Sequence, residues 1–126
     1  MSDGIVVKKS KIHGFGIFAK RDFRKDEAII RWKDYKVLNR EDIEKLTKKD
    51  KNHLSYVNKE YVLVPPEGRV NHSCDPNVVL INFCYVAKRD IKKGEEITAD
   101  YVRESDPGFE MKCNCGSKKC RGIIRA

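Results

Sequence analysis

The segment Asn71-His72-Ser73-Cys74-Asp75-Pro76-Asn77 carries the strongest single indication of how this chain folds. It combines two amides, an imidazole, a hydroxyl, a thiol and a Pro turn, and it lies between apolar runs. Ordinary loops do not need so many different hydrogen-bonding side chains without a charged majority. The segment therefore predicts a loop that holds a polar ligand, in which the thiol of Cys74 has a task of its own.

The length and composition predict one compact domain with a very polar surface. The chain has 126 residues, of which 40% are hydrophobic and 37% are charged. No apolar run approaches the ~18 residues that a membrane span needs, and the first residues lack a signal-peptide pattern. We therefore expect a soluble, intracellular protein that does not bind membranes, with the choice between nucleus and cytoplasm left open.

The formal net charge of +8 raises the question of nucleic-acid binding. The Lys and Arg residues are interspersed with acids rather than collected in one arm, which favours a solvated mixed surface. A basic surface could still attract acidic stretches of a partner or a nucleic acid. Direct nucleic-acid binding is therefore the weaker alternative, because it rests on net charge alone.

Short apolar and β-branched runs separated by turn signals predict a mainly β chain. The predicted strands cover residues 4–7, 27–32, 61–64, 78–87 and 96–101, with turns near residues 82 and 92–95. The pair Pro65-Pro66 is expected to stop the third run. One short helix is predicted to begin after Asn39, its N-cap, and to continue to about Lys51. This order of elements is not a βαβ pattern.

Five cysteines in a chain without a secretory signal indicate metal binding rather than disulfides. Cys113, Cys115 and Cys120 have the spacing C-x-C-x4-C, and a structural zinc ion needs four ligands. Cys74 and Cys84 are the candidates for the fourth. Cys84 lies in an apolar run, where a free cysteine behaves as a small core residue, so Cys74 is favoured.

Four blocks of sequence, in order and over nearly the whole chain, resemble the SET-domain protein-lysine methyltransferases. They are KIHGFGIFAKRDFRKDEAI, RVNHSCDPN, KKGEEITADY and KCNCGSKKCRGII, of which the second and fourth are the most specific. The resemblance implies a SET-domain fold of small curved sheets with a C-terminal pseudoknot and a zinc-bound post-SET tail. We expect a single domain over residues 1–126, with a SET core at 1–108, a tail at 109–126 and no Cys-rich region before the domain.

The resemblance also implies S-adenosylmethionine as the methyl donor. Gly14-Phe15-Gly16 would lie against its methionine end, where residues without a Cβ permit close approach of the backbone. Asn71 and His72 match the family's cofactor-binding pair, and His13 is expected to make a weaker contact. Phe109 would either cover the adenine or belong to the core. The segment after Tyr101 would lie against the loop that carries Asn71 and His72.

Tyr101 matches the family's catalytic tyrosine and is also expected to contact the donor. The reaction needs a neutral lysine amine, whereas free lysine has a pKa of about 10.4. A narrow apolar channel disfavours the ammonium form by desolvation. The Tyr101 hydroxyl can then orient the amine beside the methyl group, so that positioning supplies most of the catalysis.

The family's zinc ligands correspond to Cys74, Cys113, Cys115 and Cys120. The resemblance implies one structural zinc ion that fixes the tail over the active site and completes the lysine channel. Four thiolates and one Zn²⁺ together add −2, which would lower the net charge from +8 to about +6.

Ala99 stands where the family usually has Phe or Tyr, the residue that limits how many methyl groups accumulate. Its small side chain favours di- or trimethylation, unless Tyr61 or Tyr85 fills the same volume. Residues 33–60 correspond to the family's inserted segment, which normally helps to select the substrate. Because this segment is short, the sequence leaves the identity of the substrate open. His53 lies outside any motif and is expected at the surface.

The resemblance thus implies a protein-lysine methyltransferase whose substrate is a protein that presents a lysine. Histone tails or another basic chromatin protein are the candidates. The alternative is an inactive SET module that binds a protein or a peptide, which the presence of Asn71, His72 and Tyr101 disfavours. Whether the protein is a monomer or a homodimer is left open.

Overall fold

The computed structural model describes residues 4–33, 35–51, 53–57, 59–64, 69–105 and 108–125. These residues form twelve strands, two short α-helices and one 3-10 helix. The strands are β1 (Ile5–Lys9), β2 (Phe15–Ala19), β3 (Ala28–Arg31), β4 (Lys36–Leu38), β5 (Leu54–Val57), β6 (Glu60–Leu63), β7 (Asn71–His72), β8 (Val78–Ile81), β9 (Cys84–Ala87), β10 (Glu96–Ala99), β11 (Glu110–Lys112) and β12 (Ile123–Arg125). The helices are α1 (Arg40–Glu44), α2 (Lys48–Lys51) and the 3-10 helix (Tyr101–Glu104). The prediction of a mainly β chain is confirmed.

The strands form four small sheets, three antiparallel and one mixed. The mixed sheet has the order β1-β2-β10-β7, and the others are β3-β9-β8, β4-β6-β5 and β11-β12. β7 pairs in parallel with β10, opposing Asn71 to Thr98 and His72 to Ala99. This pairing fixes the polar loop at residues 71–77 beside the chain that leads to Tyr101.

The β8–β9 hairpin confirms the turn predicted near residue 82. Asn82 and Phe83 have φ values of 48° and 59°, both in the left-handed region. A two-residue turn of this kind matches the right-handed twist of its strands, and Asn is among the residues that tolerate it best. The Phe83 ring stacks on Tyr35 at 4.4 Å between centroids, which anchors the turn to the preceding segment.

The helix predicted over residues 39–51 is wrong in one respect, because the chain forms two helices there. Asn39 does cap α1, in a capping box with Asp42. The helix then ends, and Thr47 begins a second one by accepting the Asp50 backbone N–H on its hydroxyl at 3.1 Å. A threonine followed three residues later by an acid is itself a helix-start signal, which competes with continuation of α1.

One predicted strand end needs correction, and two strands, β4 and β5, were not predicted. The strand predicted over residues 96–101 ends at Ala99, and Tyr101 instead opens the 3-10 helix, which Asp100 caps by accepting the Val102 N–H. The short segment at residues 33–60 contributes β4 and β5 to a sheet with β6, although their sequences gave no strand signal. Pro65-Pro66, expected to stop a strand, lies outside the described residues.

The hydrophobic core lies between the sheets and is built from the inward side chains of their strands. Among its fully or almost fully buried members are Ile17, Ile30, Trp32, Val62, Val78 and Ile97. Each such side chain stabilises the fold by about 1.5–3 kcal/mol relative to exposure. Cys84 is also buried, as predicted. None of the described helices has the length and apolar character needed to cross a membrane.

Candidate active site

The polar loop at residues 71–77 is buried at both ends, with Asp75 exposed between them, and is held by hydrogen bonds to β10. The Asn77 side chain donates to the Glu96 carbonyl at 2.8 Å and accepts the Thr98 N–H at 2.9 Å. The Ser73 N–H donates to the Ala99 carbonyl at 3.0 Å. Buried amides must be paired to be tolerated, and these pairs give the loop one fixed position.

Asn71 joins three separated segments of the chain through its side-chain amide. Its Nδ2 lies 3.1 Å from the His13 carbonyl, 3.2 Å from the Phe15 carbonyl and 2.8 Å from the Glu96 carboxylate. The same carboxylate accepts the Ser10 hydroxyl at 2.7 Å. Asn71 and Glu96 therefore set the position of the loop that contains the glycine pair.

The two glycines of this loop are required for different reasons. Gly14 has a φ of +45°, and a Cβ there would meet nothing within 4 Å, so its role is conformational. A Cβ at Gly16 would overlap the Glu96 carboxylate and lie 3.0 Å from Asn71 Nδ2. The Glu96 carboxylate and the Asn71 amide thus occupy the space that a side chain at position 16 would need.

His72 connects the loop to both Tyr101 and Cys74. Its Nδ1 accepts the Tyr101 backbone N–H at 3.0 Å, so the proton of the neutral ring lies on Nε2, which is 3.4 Å from Cys74 Sγ. Burial lowers the pKa of His72 and keeps the ring neutral, although the Asp100 carboxylate opposes this shift. His72 thereby couples the backbone at Tyr101 to the thiol of Cys74.

Tyr101 is held at both its backbone and its hydroxyl. The hydroxyl donates to the Val70 carbonyl at 2.6 Å, which leaves the oxygen's lone pairs as acceptors. Burial, followed by the charges of Glu104 and Glu96, raises the pKa of Tyr101 to about 12. The phenol therefore stays protonated at neutral pH.

A cavity of about 840 Å³ lies beside these residues. Its volume falls in the range of sites that bind small molecules. Five residues predicted to contact the donor line it: His13, Phe15, Gly16, Asn71 and Tyr101.

Several predicted residues have other positions relative to the cavity. Gly14 and His72 do not line it, and they act instead on the backbone behind it. Ala99 is 1% exposed and does not line it either. Phe109 does line it, and His53, expected at the surface, is half-buried and forms part of the wall.

The structure brings Cys74, Cys113, Cys115 and Cys120 together. Their Sγ atoms all lie within 4.8 Å of one another, and those of Cys74 and Cys113 are 3.7 Å apart. Ligands at about 2.3 Å from a tetrahedral zinc ion are separated by about 3.8 Å, so this group has the dimensions of a metal site. Cys84 is outside the group and donates to the Tyr85 carbonyl.

The thiols of this group resist joint ionisation. Burial raises the pKa of Cys113 to about 12. Burial also opposes the Cys115 thiolate, yet hydrogen bonds to backbone groups and to neighbouring thiols lower the pKa of Cys115 to about 6. Four sulfur atoms at this spacing could all be thiolates only beside a cation, so the donor set fits a divalent metal ion.

Arg121 ties the C-terminal tail to the rest of the site. Its backbone N–H and its Nε both donate to Cys74 Sγ, at 3.4 and 3.3 Å, and its guanidinium reaches Asp100 at 3.1 Å. The expectation that the segment after Tyr101 lies against the loop of Asn71 and His72 is confirmed by these contacts.

Sequence reasoning missed several polar residues that organise this site. They are Ser10, Glu96, Asp100, Glu104 and Arg121. Glu96 lies within the quoted block KKGEEITADY and Arg121 follows the last cysteine, so proximity to a motif was the available signal. Tyr85 was considered only as a ring that fills volume, and its hydrogen bond to Glu104 was not predicted.

Comparison with known proteins agrees with this architecture. The profile of the SET domain matches residues 14–102. Histone-lysine N-methyltransferase ATX2 of Arabidopsis thaliana is 31% identical over 141 residues, covering 92% of this chain and 12% of its own length. The human histone-lysine N-methyltransferase 2D is 29% identical, covering 94% of this chain and 2% of its own length.

A third relative is the H3 lysine-36 specific histone-lysine N-methyltransferase of Saccharomyces cerevisiae. It is 28% identical, covering 95% of this chain and 19% of its own length. The chain therefore spans less than a fifth of each of these relatives. The crystal structure of a Plasmodium falciparum protein described as a histone methyltransferase superimposes with a TM-score of 0.62 and 23% identity, over 80% of this chain and 95% of that one, which supports the fold.

Proposed function

This chain belongs to the SET-domain family, and we propose that it is a protein-lysine N-methyltransferase that uses S-adenosylmethionine. One observation carries the proposal: residues from the glycine loop, the polar loop and the start of the 3-10 helix meet at a single cavity. These three segments are far apart in the sequence and have no reason to converge on a cavity in a purely structural protein.

The donor would bind among His13, Phe15, Gly16, Asn71 and Tyr101. Its sulfonium supplies an electrophilic methyl group when bound. Gly14 would support this site by turning the loop, and His72 would support it by holding the Tyr101 backbone. The cavity is large enough for a nucleoside with an amino-acid side chain.

Tyr101 would position the substrate amine rather than remove its proton. Its hydroxyl donates to the Val70 carbonyl, so it can accept a hydrogen bond from the amine. With a pKa of about 12, it is protonated throughout the neutral range and is a poor base. Holding the amine in line with the methyl group is then its contribution to the rate.

Cys74, Cys113, Cys115 and Cys120 would hold one structural zinc ion. Support comes from the separation of their sulfur atoms and from thiol chemistry that favours a soft divalent metal. The ion would join the tail to the polar loop at residues 71–77, and the same loop holds the Tyr101 backbone.

The substrate would be a lysine of a histone or of another basic chromatin protein, in keeping with the names of the relatives. The small Ala99 would favour di- or trimethylation, although its side chain lies behind the residues that line the cavity. Tyr61 and Tyr85 both line the cavity. Their rings would limit the number of methyl groups on the amine, as an aromatic residue at position 99 does in the family. Mass spectrometry of the product separates these cases, and a product that stops at monomethyl-lysine would contradict the expectation from Ala99.

A direct test is transfer of a labelled methyl group from S-adenosylmethionine to histones and to proteins of a cell extract. We expect transfer by the wild type and a loss of about 100-fold in Tyr101→Phe, because the amine loses its acceptor. Tyr35→Phe, a change outside the cavity, is the matched control and should retain activity. A wild-type protein that binds the donor but modifies no protein would indicate the binding-module alternative.

A further inference from the structure

Glu104 is a buried carboxylate that the proposed function does not yet use. It is 7% exposed, yet it lines the same cavity as Tyr101. Among the described residues no Lys, Arg or His lies within ion-pair distance of it. A carboxylate without a cation is costly to bury, so its retention here calls for a function.

Tyr85 holds Glu104 in place. The Tyr85 hydroxyl donates to Glu104 Oε1 at 2.6 Å, and Tyr85 is itself 2% exposed. The edge-on contact between the Tyr85 and Trp32 rings, at 5.8 Å between centroids, fixes the tyrosine in turn. Glu104 is therefore a preorganised acceptor rather than a mobile surface acid.

The position of Glu104 is that of a partner to Tyr101. The two residues are three apart in a 3-10 helix, where side chains at this spacing lie on the same face. Aromatic residues from five other parts of the chain complete the wall: Phe15, Tyr56, Tyr61, Tyr85 and Phe109. Two carboxylates also line it, the buried Glu104 and the exposed Glu110, and aromatic faces with a buried carboxylate form a site suited to an organic cation.

We propose, on the basis of the proposed function, that Glu104 accepts the proton of the substrate lysine and so delivers the neutral amine to the methyl donor. An N–H bond of the ε-ammonium breaks and an O–H bond forms on Glu104. The freed amine electron pair then forms the N–C bond while the S–C bond of the donor breaks, leaving a neutral thioether and a methylated ammonium.

A second cavity beside Glu104 offers a route by which the accepted proton could leave. Glu104 lines this cavity of about 310 Å³, together with Cys74, Asp100 and Arg103. Because Glu104 lines both cavities, a proton that it takes from the larger one could leave through the smaller one. The substrate side of the site then need not open to solvent between transfers.

The ionisation of Glu104 is compatible with this role. Burial raises the pKa of Glu104 to about 7; the Tyr85 hydrogen bond opposes this shift and the Asp100 charge adds to it. A base is most effective when its pKa lies near the working pH. The charged or titratable residues that share a cavity lining with Glu104 are His13, Lys51, His53, Tyr56, Tyr61, Arg69, Tyr85, Tyr101 and Glu110 in the larger cavity and Cys74, Lys88, Asp100 and Arg103 in the smaller one.

The test compares Glu104→Gln with the wild type on two peptides that differ only at the target. One carries lysine and the other carries thialysine, whose amine is less basic and loses its proton more easily. We expect kcat/KM of Glu104→Gln to fall by about 100-fold or more with lysine and by less than about 10-fold with thialysine. Glu95→Gln, which alters a half-buried acid outside the cavity that is paired with Arg89, is the control and should match the wild type.

A second readout does not depend on turnover. With carboxyl-labelled glutamate, NMR should show one resonance that titrates near neutral pH and is missing in Glu104→Gln. Tyr85→Phe removes a hydrogen bond that lowers the pKa of Glu104, so the same resonance should titrate at higher pH in that variant. This measurement decides the question even if Glu104→Gln fails to fold.

The outcomes separate the two proposals. Equal losses on both peptides, or a Glu104→Gln variant with wild-type kcat/KM, would overturn the proton-acceptor role while leaving the methyltransferase intact. The absence of any resonance that Tyr85→Phe moves would overturn it as well. A wild-type protein that transfers no methyl group to either peptide or to any protein would overturn the proposed function first.

Discussion

Glu96 is a single side chain on which three parts of the site depend. One carboxylate oxygen accepts the Ser10 hydroxyl and the other accepts the Asn71 amide, beside the space left by Gly16. A half-buried carboxylate with two donors has one preferred rotamer, so the loop before β2 is positioned by a residue of β10.

We predict that Gly16→Ala damages the site more than Gly14→Ala. The added methyl group at position 16 overlaps the Glu96 carboxylate, and overpacking of this kind costs about 1–3 kcal/mol. At position 14 the methyl group meets open space, and the cost is about 1 kcal/mol for the positive φ. Urea denaturation gives the stabilities, and calorimetry with S-adenosylmethionine should show weaker binding for Gly16→Ala. Equal binding by the two variants would contradict this account.

Glu104 should make the stability of the fold depend on pH. Its pKa of about 7 lies above its ordinary value of 4.5, so the folded state binds the proton more tightly than the unfolded state. The resulting stabilisation is complete below 4.5 and is lost as the pH rises through 7. It amounts to about 3 kcal/mol over the full window.

The measurement is the free energy of unfolding of the wild type and of Glu104→Gln on either side of this window. Because the glutamine does not titrate, the wild type should lose about 3 kcal/mol relative to the variant as the pH rises. Other groups titrate in both proteins and cancel. A constant difference would show that burial does not raise the pKa of Glu104.

At the scale of elements, the tail depends on contacts that a metal ion would reinforce. β11 and β12 pair with each other, and Ile124 is fully buried, but the tail reaches the loop through Cys113 and Arg121. The tail should therefore be the first element to detach when the thiols lose a shared cation.

We predict that Cys74→Ser lowers the zinc content and speeds proteolysis of the tail, whereas Cys84→Ser does neither. Addition of a chelator to the wild type should have the same effect as the Cys74→Ser substitution. Atomic absorption measures the metal, and limited proteolysis followed by mass spectrometry locates the cuts. Unchanged zinc in Cys74→Ser would give the fourth ligand position to another group.

Elements governed by their own neighbours could be predicted from the sequence. The turn at Asn82 and the cap at Asn39 are examples, because both depend on residues within three positions. The break between α1 and α2 was missed, although Thr47 and Asp50 form a local start signal. β4 has only three residues, too few to show an alternation.

The contacts that complete the site could not be predicted in this way. Ser10 and Glu96 are 86 positions apart, and Tyr85 and Glu104 are 19 apart on different elements. No periodicity or turn signal reports such a pair. The family resemblance identified residues near the cavity, but it did not identify charged residues of the wall such as Glu104.

The whole molecule carries a positive charge that bears on which substrates it meets. At +8, or about +6 with a zinc tetrathiolate, it should repel a basic peptide at long range. Screening becomes strong beyond about 8 Å at physiological ionic strength, so added salt weakens this repulsion.

If the proposed activity holds, kcat/KM for a histone-tail peptide should rise as salt is added, by a factor of about 2–10 over the range where the protein stays folded. A matched peptide with acidic residues around the same lysine should show the opposite trend. Initial rates at several salt concentrations measure both. If both peptides respond alike, local charges near the cavity, and not the net charge, govern the encounter.

The parallel pairing of β7 with β10 has a consequence for synthesis of the protein on the ribosome. His72 and Cys74 leave the exit tunnel well before their partners, and Arg121 is 47 residues behind Cys74. At about 5–20 residues per second, Cys74 waits about 2–10 seconds for Arg121. Until the tail is translated, the thiol of Cys74 is therefore open to oxidation or to chaperones.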